Sequence, residues 1–189
     1  TMSLTTTETS ICNSALIKVG ADRITSMTEA NRRAQLCNEQ FPKVRDEVLR
    51  THPWNFAITR SEFSQLTSTP AFGYAYEYSI PSDCLRILEL HDETIEWKQE
   101  GNKVLSDSAT IKARYIKRIS APAEYDSIFI EAMALRLAAD LAYSLVQSST
   151  LSQNLLAEYE RHMALARSID AQEGTPPDLI DDSFIEARL

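Results

Sequence analysis

"THPWNFAITRSEF", Thr51–Phe63, is the stretch whose reading decides the fold. Helical periodicity runs up to it and strand-like alternation follows it. Pro53 lacks an N–H and pushes the preceding residue, His52, toward extended backbone, so a helix arriving from the N-terminal side ends here. Trp54 comes next, a large apolar side chain with a single donor. Pro53 and Trp54 therefore read as a structural junction. Trp54 is expected to plug the corner between helix and sheet and to fix the angle between them.

Upstream, two helices are expected, at about 5–20 and 28–51. Thr5 and Glu8 have the S/T-x-x-E spacing of a capping box, and Gly20 is placed to end the first helix in a left-handed conformation. Ile11, Ala15, Leu16 and Val19 recur at helical spacing. In the second helix Ala30, Ala34, Cys37, Phe41, Val44, Val48 and Leu49 form the apolar stripe. Pro42 lies inside it and is expected to kink the helix or make it restart.

Downstream, about 54–119 reads as a small antiparallel β-region of four or five short strands. "GYAYEYSIP" alternates, with Tyr74, Tyr76 and Tyr78 on one face. That tyrosine row is either a core face or a surface for a carbohydrate or partner chain; the core reading is favoured by β-propensity and apolar area. "CLRILEL" and "TIKARYIKRI" alternate again, and "TIEWKQEGNKVLSD" has a hairpin turn near residues 100–102.

Two further helices are expected at about 123–147 and 150–173, the second opened by a capping box from Thr150 to Gln153. The third helix carries few polar residues, at Glu131, Arg136, Asp140, Ser144 and Gln147. So wide an apolar arc implies burial on most sides, which neighbouring copies would supply. The chain thus reads as α+β and mainly α: about four helices with a small β-region inserted between the second and third. Residues 1–173 form a single domain, followed by an extended C-terminal arm, 174–189.

The arm begins at Gly174, Pro176 and Pro177. It sets Asp178, Asp181, Asp182 and Glu186 against Arg188 alone, yet carries Leu179, Ile180, Phe184, Ile185 and Leu189. Acidic composition with paired apolar residues suits a segment that orders on a partner.

Composition narrows the function. The 189 residues have a net charge of −8, which disfavours a surface built mainly to grip phosphate backbones. No apolar run reaches the roughly 20 residues of a membrane span, and "TMSLTTTETS" lacks the basic start and apolar core of a secretory signal. None of the four glycines sits in a phosphate-cradling motif. Cys12, Cys37 and Cys84 are far apart and form no metal spacing, so a reduced, cytoplasmic chain and buried structural thiols are expected. His52, His91 and His162 have no partner at a motif spacing. Asp92, Glu93 and Glu96 lack the ligand order and glycine of a calcium loop. The basic spots Asn31–Arg33 and Lys117–Ile119 read as exposed charge. No catalytic residue, cofactor site or metal site is assigned.

The order of the pieces resembles a known family. "ICNSALIKVGADRITSMTE" is followed by "VRDEVLRTHPWNFA", then by "YAYEYSIPSDCLRILEL", then by two long helices. This is similar to the head-to-tail adaptor of tailed bacteriophages, the portal adaptor or tail tubular protein A family, over roughly residues 7–172. "HPWNFA" and the pattern Y-x-Y-x-x-P-x-D-C-L-R-I from Tyr76 to Ile87 carry most of the likeness. The resemblance implies a structural virion protein of the neck or tail, assembled in the host cytoplasm. It implies a homo-oligomeric ring of twelve subunits beneath the portal protein, receiving a tail nozzle or tail tube protein. Double-stranded DNA would pass through the channel without sequence-specific binding, and no membrane is involved. The arm, through Leu179, Ile180, Phe184, Ile185 and Leu189, would anchor on the portal. Some relatives are described as cell-wall hydrolases; in that alternative Asp83, Glu89 and Glu96 are the carboxylates nearest the sheet.

Overall fold

The computed structural model describes residues 6–170 and Gln172. Thr5 and the arm residues from Gly174 onward, including Leu179, Ile180, Phe184, Ile185 and Leu189, lie outside the described residues. The element order is α1 (Glu8–Lys18), α2 (Arg32–Thr51), six strands, α3 (Ser127–Val146) and α4 (Ser149–Asp170). The fold is mixed α and β, with four helices and a six-stranded antiparallel sheet. That sheet is larger than the four or five strands expected. Among the described residues no helix is long and apolar enough to cross a membrane.

Helix ends differ from the sequence reading where short side chains cap the backbone. The capping box of α1 is Thr7 with Ser10, not Thr5 with Glu8. The Thr7 hydroxyl accepts from the Ser10 N–H at 3.1 Å, and the Ser10 hydroxyl accepts from the Thr7 N–H at 2.9 Å. At the other end the expectation holds. Gly20 has φ +75°, its N–H reaches the Ile17 carbonyl at 3.0 Å, and the Ala21 N–H reaches the Leu16 carbonyl at 2.9 Å. That is a Schellman closure.

Helix α2 begins at Arg32 rather than Thr28. Asn31 accepts from the Ala34 N–H at 2.9 Å and caps it. Glu29 folds back instead, its carboxylate accepting from the backbone of Thr25 and Ser26. The helix runs unbroken through the exposed Pro42, so the expected restart does not occur. Its buried stripe is Ala34, Cys37, Phe41, Val44, Val48 and Leu49; Ala30 is exposed.

Helix α3 starts at Ser127, capped by Asp126, and not at residue 123, because Pro122–Glu124 forms a separate 3-10 turn. Gln147 takes a left-handed conformation, φ 53°, and ends it. Ser148, not Thr150, caps α4 by accepting from the Leu151 N–H at 3.1 Å.

Helix α3 packs against α1, α2 and α4 of its own chain. Phe129, Met133, Leu135, Leu137, Leu141 and the intervening alanines are buried within one copy. The inference that neighbouring copies must cover this helix is therefore corrected: three helices of the same chain do so. Of its apolar side chains Tyr143, 66% exposed, and Val146 remain open to solvent.

The sheet comprises β1 (Ile58–Gln65), β2 (Tyr76–Ser79), β3 (Cys84–Leu90), β4 (Trp97–Glu100), β5 (Lys103–Ser106) and β6 (Ile111–Lys117). Their order across the sheet is β3-β6-β1-β2-β5-β4. Strand β1 serves both halves. Ile58 to Phe63 pair with β6, and only Ser64 and Gln65 pair with β2. One sheet face encloses a second core of Phe63, Tyr78, Ile87, Leu90, Val104, Ile111, Ala113 and Tyr115. Tyr78 is fully buried there and Tyr76 packs against it, so these members of the tyrosine row belong to the core face. Glu100 pairs with Lys103 around Gly101, φ +60°, so the hairpin turns where expected, through the two residues Gly101 and Asn102.

Candidate functional site

Two places gather side chains whose arrangement exceeds what packing alone requires: the corner at Trp54 and a charged groove on the sheet.

The corner is built from the end of α2 upward. His52 is extended, φ −135°, as the residue before a proline should be. The chain turns back so that Trp54 lies over the last turn of α2, only 2% exposed. Its Nε1 donates to the Val48 carbonyl in the last turn of α2 at 2.9 Å. Its ring meets His52 edge-on at 4.9 Å and Phe129 of α3 at 5.2 Å. Phe56 and Tyr125 stand 5.1 Å and 4.8 Å from Phe129 and complete the cluster. Burial pushes the Tyr125 hydroxyl up to about 12, and that hydroxyl donates to the Ile119 carbonyl at 3.0 Å. Helix α2, the sheet entry and α3 are thus locked around one indole.

The groove lies on the face of β1 and β6 that is turned away from the tyrosine core, where the strands extend past Ile116 and the helices. It has a volume of about 420 Å³ and is lined by Arg60, Glu62, Glu89, Lys112 and Arg114; Leu90 and Ala113 border it but turn their side chains into the tyrosine core. Register sets its charges. Arg60 stands directly opposite Arg114, and Glu62 opposite Lys112. Glu89 holds Arg114 with two contacts, 2.9 Å to Nε and 3.1 Å to Nη2. Lys112 Nζ is 3.8 Å from Glu62. Among the described residues Arg60 is exposed and has no ion pair. Toward the helices the same face continues with Arg86, which donates to the Arg50 carbonyl at 3.1 Å, while Arg50 donates to the Leu85 carbonyl at 2.6 Å. Sequence reading missed this patch, because cations in three separate segments come together only through strand register.

The residues singled out from sequence are placed as follows. Asn31 is a helix cap, Arg33 is 3.2 Å from Asp22, Lys117 is 3.8 Å from Asp83, and Arg118 is 2.8 Å from Asp46. Asp83 also accepts from the Tyr115 hydroxyl at 3.3 Å. Asp83 and Glu89 flank opposite ends of β3, about 20 Å apart by strand rise. That is well beyond the roughly 5–9.5 Å that separates the carboxyl pair of a glycosidase. Glu96 is exposed in the loop before β4. Asp92 accepts from Thr94 within its own turn, which lowers its carboxyl below the ordinary range. His162 Nε2 lies 2.8 Å from the Ile128 carbonyl, and His91 lines the groove.

The cysteines are free, and two of the three are fully buried. Cys12 and Cys37, far apart in sequence, meet between α1 and α2, both fully buried and both free. The hydrogen bond that the Cys12 thiol donates to Cys37, then burial, pushes Cys12 far above its ordinary range. Burial, then Asp83, pushes Cys84 up to about 11. Raised thiols are poor nucleophiles near neutral pH. Among the described residues no group of three or more His, Cys, Asp or Glu is arranged to hold a metal ion.

No family model matches the sequence, and no curated protein is significantly similar to it.

Proposed function

We propose that this chain is a structural head-to-tail adaptor of a tailed bacteriophage, which forms a ring on the portal protein and offers its lower face to tail proteins. The observation that carries the reading is the "HPWNFA" corner. In that segment one tryptophan donates to the last turn of α2, meets α3 edge-on and leads through a short 3-10 turn into the sheet. A subunit repeated around a ring needs a fixed angle between its helical and sheet layers, since any error recurs at each interface. The ordered series of segments that resembles the portal adaptor family supports the same reading.

On this reading the sheet is an insertion in a helical bundle and forms the tail-facing part. The acidic, apolar-studded arm, 174–189, reaches the portal. Twelve copies surround a channel for double-stranded DNA, and the chain acts in the virion neck without enzymatic chemistry. The test is reconstitution: purified chain is mixed with purified portal, and the complex is imaged by electron microscopy. Rings seated on portals support the proposal, and chain that stays separate from portal refutes it.

A further inference from the structure

We infer that the groove between β1 and β6 receives a carboxylate-bearing segment of another protein chain. Like charges directly opposite one another on neighbouring strands are destabilising, and Arg60 faces Arg114 in this way. Glu89 offsets Arg114; nothing among the described residues offsets Arg60. A carboxylate entering between the two guanidiniums relieves the repulsion. It gains forked, charge-assisted hydrogen bonds of the kind arginine makes best.

The lining favours a polypeptide over a nucleic acid. The aliphatic stems of Arg60, Lys112 and Arg114 line the groove and give apolar surface against which the methylenes of an aspartate or glutamate can lie. Glu62 and Glu89 border the cations and would repel an unbroken run of phosphates, whereas a peptide can place neutral residues beside them. The chain's net charge of −8 opposes the long-range attraction on which phosphate-backbone binding depends. About 420 Å³ is room for a few side chains. This inference does not rest on the adaptor reading; it needs only the register of β1 and β6.

The experiment uses the full chain and a short fluorescent peptide whose one or two glutamates are spaced by neutral residues, with its glutamine counterpart and a short DNA duplex as comparisons. Binding is followed by anisotropy at physiological ionic strength. The glutamate peptide is expected to bind and the glutamine peptide to fail. Arg60→Glu should weaken binding about tenfold or more without lowering the melting temperature, because Arg60 is exposed and the substitution replaces the Arg60–Arg114 repulsion by an attraction. Lys98→Glu, outside the groove on β4, should bind as the parent does. Absence of glutamate-peptide binding, binding indifferent to Arg60→Glu, or a duplex that binds more tightly through Arg60 would each overturn the inference.

Discussion

Trp54 and Phe129 stand edge to face with ring centroids 5.2 Å apart, and this contact joins the end of α2 to the first turn of α3. The two residues are far apart in sequence, so the pair ties α2 to α3 across the whole stretch of chain that forms the sheet. Edge-to-face aromatic pairs add about 0.5–1.5 kcal/mol beyond the area they bury. Here the indole also satisfies the Val48 carbonyl.

Truncating the indole removes both effects. Trp54→Ala is expected to destabilise the chain by about 3–5 kcal/mol in urea unfolding. Trp54→Phe keeps a ring but leaves the Val48 carbonyl without its donor, for a smaller loss of about 1–2 kcal/mol. A Trp54→Ala chain within about 1 kcal/mol of the parent would show that the corner does not hold the fold together.

Gly20 gives a test of backbone strain with little steric complication. A Cβ there would meet nothing within 4 Å, yet φ is +75°. Gly20→Ala should therefore lose about 1–2 kcal/mol through the left-handed conformation alone, and Gly20→Asn less. Equal losses for both variants would mean that the Schellman closure is not what ends α1.

Glu29 sets a pH dependence. Hydrogen bonds from the Thr25 side chain and from the backbone of Thr25 and Ser26 pull its carboxyl from 4.5 down to about 2. A carboxyl lowered by folding stabilises the fold above its ordinary value, and that stabilisation disappears as pH falls toward the folded value. The melting temperature of the parent should exceed that of Glu29→Gln near neutral pH. The gap should close as pH drops from about 4.5 toward about 2. A gap independent of pH would locate the effect in shape rather than charge.

Much of this architecture is written in periodicity. The stripe from Ala34 to Leu49, the break at Pro53, the alternation at Tyr76 and Tyr78 and the turn at Gly101 all appear in the structure where sequence places them. Strand β1 does not stand out in sequence: Arg60, Ser61, Glu62, Ser64 and Gln65 leave it without an apolar alternation, although it connects the two halves of the sheet. Helix starts differ from the sequence reading because Thr7, Asn31 and Ser148 cap the backbone in place of the residues that the pattern suggests. The groove was invisible for a further reason. Arg60, Glu89 and Arg114 are distant in sequence, and only β-sheet register makes them neighbours.

The arm supplies a test of the partner reading. Deleting residues 176–189 should leave the thermal transition of the remaining chain in place, because the cores lie within α1 to α4 and the sheet. Capture of portal protein by the shortened chain should fall to background. Full capture would remove the arm, and Leu179, Ile180, Phe184, Ile185 and Leu189 with it, from any role in anchoring.

The central claim is that this subunit is one element of a ring seated on a portal. Electron micrographs of the chain with purified portal measure this most directly, by counting copies around the axis. The account predicts closed rings of one copy number, twelve by family resemblance, stacked coaxially on the portal. Single copies and unoccupied portals at every concentration tried would contradict it.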